Sequence, residues 1–312
     1  MDWPLVIAFG LGVGLLVGMT GIGGGSLMTP LLILVLGTAP TTAIGTDLAY
    51  AAVTKTVGGW RHWRRGSVDM TIALWLAVGS IPGALGGVQV LHMLEKALGG
   101  DSFDTFLLTL VAGALFVTGI AVLARALFMS SGGERVTVED FDTRHKVASV
   151  LIGISVGFVL GLTSAGSGAL IAVALILVFR LTPIRVVGTD VFHAAMLLWV
   201  ASIAHFFSGN VDLALAGNIL IGSIPGVWIG SNLAFKMPEN ALRPTLGIVL
   251  LAAGMALLKK AGVADYPVYV IFIVPAAVAV AAFLLHRSRS RRDALNAAAA
   301  PPLVTNDPAT DH

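Results

Sequence analysis

The sequence predicts an all-α, polytopic membrane transporter fold made of two inverted-topology repeats, each starting with a glycine-broken, re-entrant helix pair. Three observations carry that prediction. The chain is 56% hydrophobic and only 12% charged, with a mean hydropathy of +0.91. That is about half the charge of a soluble domain, and several apolar runs reach spanning length. An offset of 143 lays residues 13–87 over 156–230 without a gap, with 29 of 75 positions identical, which is the mark of a tandem duplication. Clusters of small residues interrupt equivalent apolar runs in both halves.

The elements follow in order. Each half opens with a broken apolar pair, at 4–36 and 148–180. The first break is Gly18-Met19-Thr20-Gly21-Ile22-Gly23-Gly24-Gly25-Ser26. Glycine costs a helix interior about 1 kcal/mol relative to alanine, so five glycines within residues 18–25 stop the helix. Broken backbone at membrane depth survives only against protein or a water-filled cavity, which marks the stretch as a candidate binding site. Its counterpart is Thr163-Ser164-Ala165-Gly166-Ser167-Gly168. A helix bearing Gly-Thr-Asp comes next (42–60, with Gly45-Thr46-Asp47; 185–205, with Gly188-Thr189-Asp190). One bearing Gly-Ser-Ile-Pro-Gly follows (68–91 and 211–234), its Pro82 and Pro225 expected to mark kinks. A fourth helix closes each half (103–127 and 242–258).

This divides the chain into a first repeat (1–130), a cytoplasmic linker (131–147), a second repeat (148–260), an extra transmembrane helix (261–286) and a disordered cytoplasmic tail (287–312). The N-terminus has no Lys or Arg before the first apolar run, so it reads as retained structure and not as a signal peptide.

Loop charges set the topology. Arg61, Arg64 and Arg65 lie between the second and third elements of the first half, whereas the equivalent loop from His205 to Asn210 has no Lys or Arg. If each broken pair starts and ends on one side, fifteen Lys and Arg residues face the cytoplasm and three (Lys96, Lys259 and Lys260) face outside. If each pair crosses once, the count is nine against nine. The positive-inside rule selects the first arrangement, which makes the halves inverted repeats and the C-terminus cytoplasmic. Arms of 12 to 15 residues would reach only about 18–23 Å, which favours a re-entrant pair over two full crossings, although the charges fit both.

Inverted repeats with broken helices place a site near the midplane, with half-helix N-termini aimed at an anion. In the first half the candidate ligands are the backbone of Gly23, Gly24, Gly25 and Ser26 with the hydroxyls of Thr20 and Ser26. In the second half they are Thr163, Ser164 and Ser167 with the backbone of Gly166 and Gly168. The competing account is that these small residues only let helices pack closely.

A carboxylate inside a spanning helix costs at least about 2.5–3.5 kcal/mol, and Asp47 and Asp190 place one at equivalent positions. Each fits either a proton-coupling role or a structural role, accepting hydrogen bonds that lock a break. Lys55, two turns after Asp47, is either an anion ligand, a partner for a carboxylate, or a snorkelling side chain. Leu198 stands at its repeat position. His193, one turn after Asp190, suits a proton relay or a structural contact. Asn218 aligns with Trp75 and is a candidate selectivity residue. Trp60 and Trp63 with the basic cluster read as an interface anchor.

With the repeat, the glycine breaks and the duplicated Gly-Thr-Asp established, the chain resembles the TauE/SafE family of bacterial membrane permeases, often described as sulfite exporters. The resemblance covers about residues 5–285. It is carried most strongly by Gly21-Ile22-Gly23-Gly24-Gly25, Ala43-Ile44-Gly45-Thr46-Asp47 and Val187-Gly188-Thr189-Asp190. It implies a permease in the cytoplasmic (inner) membrane that moves sulfite, a sulfonate or a related sulfur-containing anion.

The expected partners are a small anionic substrate and the lipid bilayer, with a homodimer left open and no nucleic acid. No cofactor and no metal are expected. There is no cysteine, no paired His at metal-ligand spacing, no G-x-S-x-G and no P-loop lysine. A secondary carrier, and not an enzyme, is therefore the expectation. The alternatives are a proton- or cation-coupled carrier of a non-sulfur substrate, or a membrane enzyme or accessory subunit using His62/Asp69 or His205/Asp212.

Overall fold

The computed structural model describes residues 2–20, 25–128, 141–165, 167–234 and 239–278, with positions 280, 281, 284 and 288 beyond them. Among these residues every regular element is a helix. The order is α1 (Trp3–Thr20), α2 (Gly25–Leu34), α3 (Pro40–Arg64), α4 (Met70–Leu98), α5 (Gly100–Phe128), α6 (Thr143–Thr163), α7 (Ser167–Leu177), α8 (Pro183–Phe207), α9 (Leu213–Ala234) and α10 (Glu239–Lys260). A further apolar helix, α11, covers Val268–Val278. Five of them (α4, α5, α6, α8 and α9) are long and apolar enough to cross a membrane, and the protein is a polytopic, all-helical membrane protein. The candidate glycines Gly23, Gly24 and Gly166, most of the predicted linker and the tail from residue 289 lie outside the described residues.

Local chemistry fixes the helix ends. Pro40 and Pro183 sit in the first turns of α3 and α8, where a missing N–H costs nothing. Asp69 accepts from the Ile72 N–H at the start of α4, and Asp212 accepts from the Leu215 N–H at the start of α9. The turns after α3 and α8 place Gly66 and Gly209 at φ +65° and +76°, a backbone that glycine adopts without steric cost. Asp142 caps α6 by accepting from the His145 N–H, which holds its carboxyl below the usual carboxylate range. Helices α4 and α9 run continuously through Pro82 and Pro225.

The arms of the broken pairs are unequal, where similar arms of 12–15 residues were expected. The leading arms α1 and α6 have 18 and 21 residues, and the returning arms α2 and α7 have 10 and 11. At 1.5 Å per residue the leading arms are about 27–31 Å long and the returning arms only about 15–17 Å. Among the described residues, α6 alone of the four is long and apolar enough to qualify as a spanning helix.

The halves clasp each other. Along α1, a Cβ added to Gly10, Gly14 or Gly18 would fall 2.4–2.5 Å from backbone oxygens of Ile219, Ser223 or Val227 on α9. In return Gly222, Gly226 and Gly230 on α9 meet the backbone of Ile7, Leu11 and Leu15. Shifted by 143, the same contacts recur between α6 and α4. Gly153, Gly157 and Gly161 abut Leu76, Ser80 and Ala84, and Gly79, Gly83 and Gly87 abut Val150, Ile154 and Phe158. The numbering rises together on both partners, so each pair runs parallel. The four-residue spacing brings backbones into direct contact, the packing mode that suits helices with no hydrophobic drive to associate in lipid.

The Gly-Thr-Asp motif builds a second duplicated joint. Gly45 abuts the Asn210 carbonyl and Thr46 Oγ1 accepts from the Asp212 N–H at 3.1 Å; Gly188 abuts the Ser67 carbonyl and Thr189 Oγ1 accepts from the Asp69 N–H at 2.9 Å. The start of α3 thus lies beside the end of α8, and the start of α8 beside the end of α3. The two helices pack antiparallel. Gly59 brings their backbones together at Phe192, where its Cβ would lie 3.2 Å from that Cα. Contacts from Asp69–Thr189 to Ser80–His193 make α4 parallel to α8. Helices α6 and α8 therefore point the same way, and α7 carries the chain back between them.

One end of the molecule collects Arg61, Arg64 and Arg65 at the close of α3, Arg185 at the start of α8, and Lys146, whose ammonium lies 5.7 Å over Trp75 near the start of α4. At the other, Lys260 Nζ donates to the Ile33 carbonyl at the end of α2 at 2.6 Å, a favourable place for a cation.

Replacing a clasp glycine should unfold the chain, since backbone cannot step aside as a side chain can. Gly14→Leu and Gly157→Leu are expected to cost on the order of 3 kcal/mol and to lower the thermal midpoint and monodisperse yield in detergent. Gly12→Ala, which meets nothing within 4 Å, should leave both unchanged.

Candidate functional site

The two repeat-related aspartates have different surroundings. Asp47 is fully buried, and its Oδ2 accepts from the Thr29 N–H (3.2 Å), the Thr29 hydroxyl (2.6 Å) and the Ser164 hydroxyl (2.8 Å). This one oxygen ties α3 to the returning arm α2 of its own half and to the break that follows α6 in the other half. At Asp190 the two equivalent side-chain donors are gone, because Ala172 stands in place of Thr29 and Gly21 in place of Ser164. Instead, Lys55 Nζ lies 4.0 Å from Asp190 Oδ2, with the two side chains 13% and 10% exposed. A desolvated opposite charge is what makes an intramembrane carboxylate tolerable.

Helix geometry places the two acids. Asp47 and Asp190 are each the eighth residue of a 25-residue helix. With α3 and α8 antiparallel, each acid lies about 10–12 Å from an opposite end. Lys55, eight residues beyond Asp47, reaches across to the acid of the partner helix. His193 is fully buried one turn from Asp190, and its Nε2 shares a 2.8 Å hydrogen bond with Ser80 Oγ on α4. Tyr50 and Ser223 occupy the equivalent positions in the other half. The Trp199 Nε1–H donates to Thr56 Oγ1 at 2.8 Å, joining two residues that are themselves repeat equivalents.

The other candidates fall into separate places. Thr163 is buried, donates to the Val159 carbonyl and accepts from the Ala165 N–H. Ser164 caps α6 in the left-handed region at φ 57°, a conformation that costs a non-glycine residue about 1–2 kcal/mol. Its hydroxyl bond to Asp47 offsets that cost. Thr20 ends α1 and Gly25 and Ser26 open α2, while Ser167 and Gly168 open α7. Asn218 donates from Nδ2 to Ala214 on its own helix, at 2.8 Å. The carboxylates proposed for a dyad, Asp69 and Asp212, serve the starts of α4 and α9. The buried His205 shares a 2.9 Å bond with the Gly161 carbonyl.

Sequence reasoning missed Thr29 and marked Ser80 only as part of the Gly-Ser-Ile-Pro-Gly motif beside Pro82. Both are single hydroxyls in apolar runs, and only their spatial partners single them out. An apolar cavity of about 400 Å³ between α5, α6 and α7, lined by Phe106, Leu110, Val117, Val159 and Leu162 among others, offers an anion almost no polar lining.

The family described as "Sulfite exporter TauE/SafE" matches residues 6–257. Among curated proteins, the chain is similar to "Probable membrane transporter protein YjnA" of Bacillus subtilis (strain 168), 39% identical over 265 residues that cover 81% of this chain and 98% of that protein. It is also similar to "Probable membrane transporter protein YdhB" of the same organism, at 27% over 246 residues covering 79% and 96%. A "Probable membrane transporter protein" of Xylella fastidiosa (strain 9a5c) is 26% identical over 257 residues, covering 80% and 94%. No solved structure matches.

Asp47→Ala strands the Thr29 and Ser164 hydroxyls and should cost about 2–4 kcal/mol, read as a lowered denaturation midpoint. Thr29→Ala and Ser164→Ala should each cost about 1–2 kcal/mol and add to less than their sum in a double-mutant cycle, because both donate to one oxygen.

Proposed function

The chain belongs to the sulfite exporter TauE/SafE family, and from that premise we propose that it is a secondary carrier of a small sulfur-containing oxyanion, such as sulfite or a sulfonate. The observation that carries this proposal is the largely buried Lys55–Asp190 pair between α3 and α8. Lys55 is an ammonium set between Thr54 and Thr56, and among the described residues the carboxylate within 4.0 Å of it is that of Asp190. When Asp190 takes up a proton, Lys55 loses its counter-charge and an oxyanion takes that place. When the proton leaves, the carboxylate reclaims Lys55 and expels the anion. Proton and anion thus travel together. His193, one turn away and hydrogen-bonded to Ser80, is placed to relay the proton.

The candidate backbone groups of the two breaks, Gly23, Gly24, Gly25 and Ser26 with Gly166, Ser167 and Gly168, would supply N–H donors to the same anion. Thr20 would add a hydroxyl. Asp47, already holding three donors, is a lock on the breaks and not a ligand. Asn218 would line the path as a selectivity residue.

Several features support inverted topology. Equivalent helices α3 and α8 pack antiparallel, so an axis relating them lies across the helices, in the membrane plane. The parallel run of α6 and α8 with the short α7 between them supports a pair that starts and ends on one side. A returning arm of about 15 Å reaches half of a hydrocarbon core of about 30 Å, which favours re-entrance. In the cytoplasmic membrane the Arg61–Arg65 end would then face the cytoplasm, and the C-terminus with it.

Flux of labelled sulfite into proteoliposomes tests the carrier. Lys55→Ala should reduce it at least about tenfold, a loss of about 1.4 kcal/mol or more. Asp190→Asn should retain flux but lose its response to an imposed proton gradient. Undiminished flux in Lys55→Ala would overturn the proposed role of the pair. For topology, Arg64→Cys and Phe207→Cys place thiols at repeat-equivalent exposed positions in a chain without cysteine. Membrane-impermeant labelling should reach the first only from inside and the second only from outside; labelling from one side would refute inversion.

A further inference from the structure

The face of α3 that carries Lys55 continues through Gly58 and His62 to Arg65, at successive helical turns, with Arg61 beside it. Gly58, Arg61, His62 and Arg65 line a notch of about 230 Å³ at the basic end of the molecule. Gly58 lets α3 pack closely on α8 at the floor of the notch, since a Cβ there would lie 3.1 Å from Val191 Cγ1. Ser67 Oγ shares a 2.9 Å hydrogen bond with His62 Nδ1 and so sets the ring. Among the described residues, no carboxylate lies within 4 Å of Arg61 or Arg65. Trp60 and Trp63 flank the notch half exposed, with the Arg64 guanidinium 5.5 Å over the Trp60 ring. The repeat-equivalent turn carries Ala204, His205 and Ser208 in place of Arg61, His62 and Arg65, so the two cationic side chains have no counterpart there.

We propose that this notch is an oxyanion-binding cradle, a second anion site two helical turns from Lys55 that feeds the inner pair. It rests on the reading of the chain as an anion carrier. Two guanidinium forks one turn apart present parallel N–H donors to the oxygens of a sulfite, sulfate or phosphate group. Lys55 is the next cation along the face, one turn beyond Gly58. The same chemistry has two sources: a soluble oxyanion, or the phosphodiester of an anionic lipid at the interface that the tryptophans mark.

Thermal unfolding of the full chain in phosphatidylcholine nanodiscs tests the cradle. Sodium sulfite or sulfate is titrated at constant ionic strength, and in separate discs phosphatidylglycerol replaces part of the lipid. At least one probe should raise the midpoint saturably, and R61Q/R65Q should weaken that effect at least about tenfold. R61K/R65K keeps the charge without the fork and should fall between them, which separates lost binding from misfolding. Repeating the titration in K55Q removes the inner cation, so the saturable response that remains reports the cradle. A response to sulfite or sulfate assigns the soluble source, and one to phosphatidylglycerol alone assigns the lipid. No saturable response, or one that R61Q/R65Q leaves unchanged, overturns the cradle. Binding is read here without transport, so a chain that binds but carries no sulfite would refute the carrier and leave the cradle standing.

Discussion

Direct contact between helix backbones across the two halves is the constraint on which the rest of this structure depends. Within lipid, apolar side chains gain little by leaving one another for hydrocarbon, so close steric fit must hold helices together. Glycines every fourth residue on α1, α4, α6 and α9 provide that fit, and every one of them faces carbonyls or Cα atoms of the other half. Neither repeat can complete this packing alone. The clasp also explains why α1 and α6 are long: each must run beside its partner for three turns before the chain breaks.

A symmetric frame then holds an asymmetric centre. The Gly-Thr-Asp joints are built twice with the same bonds, yet what surrounds each aspartate has diverged. Thr29 and Ser164 give Asp47 three donors on one oxygen. Lys55 gives Asp190 a charge instead. The serine that breaks the glycine pattern of the second half is therefore not a weakened copy of the first break. It accepts a strained backbone and contributes the hydroxyl that Asp47 uses. A few substitutions thus separated one carboxylate held by hydroxyls and an N–H from one that faces a cation.

The charge distribution along α3 gives this asymmetry a direction. Cations stand at one end of the helix and at Lys55, and the other end presents the hydroxyl-bound Asp47. Because α8 lies antiparallel, its own acid falls beside Lys55 and not beside Asp47. Positive groups thus follow one another along a single helix face, from the Arg61–Arg65 end to Lys55.

The sequence by itself determined the helical class, the duplication and most helix boundaries to within a few residues, the end of α4 at Leu98 excepted. Those properties are local: hydropathy, glycine and proline placement, and charge along the chain. The offset of 143 also made Asp47 and Asp190 legible as a pair. Only the tertiary structure decided which residues meet. Gly14 faces Ser223 across 209 positions, and Lys55 pairs with Asp190 although Asp47 lies on its own helix face. Thr29 and Ser80 acquire meaning only through the buried groups beside them. Such choices follow from steric complementarity between distant surfaces, which periodicity along one chain does not encode.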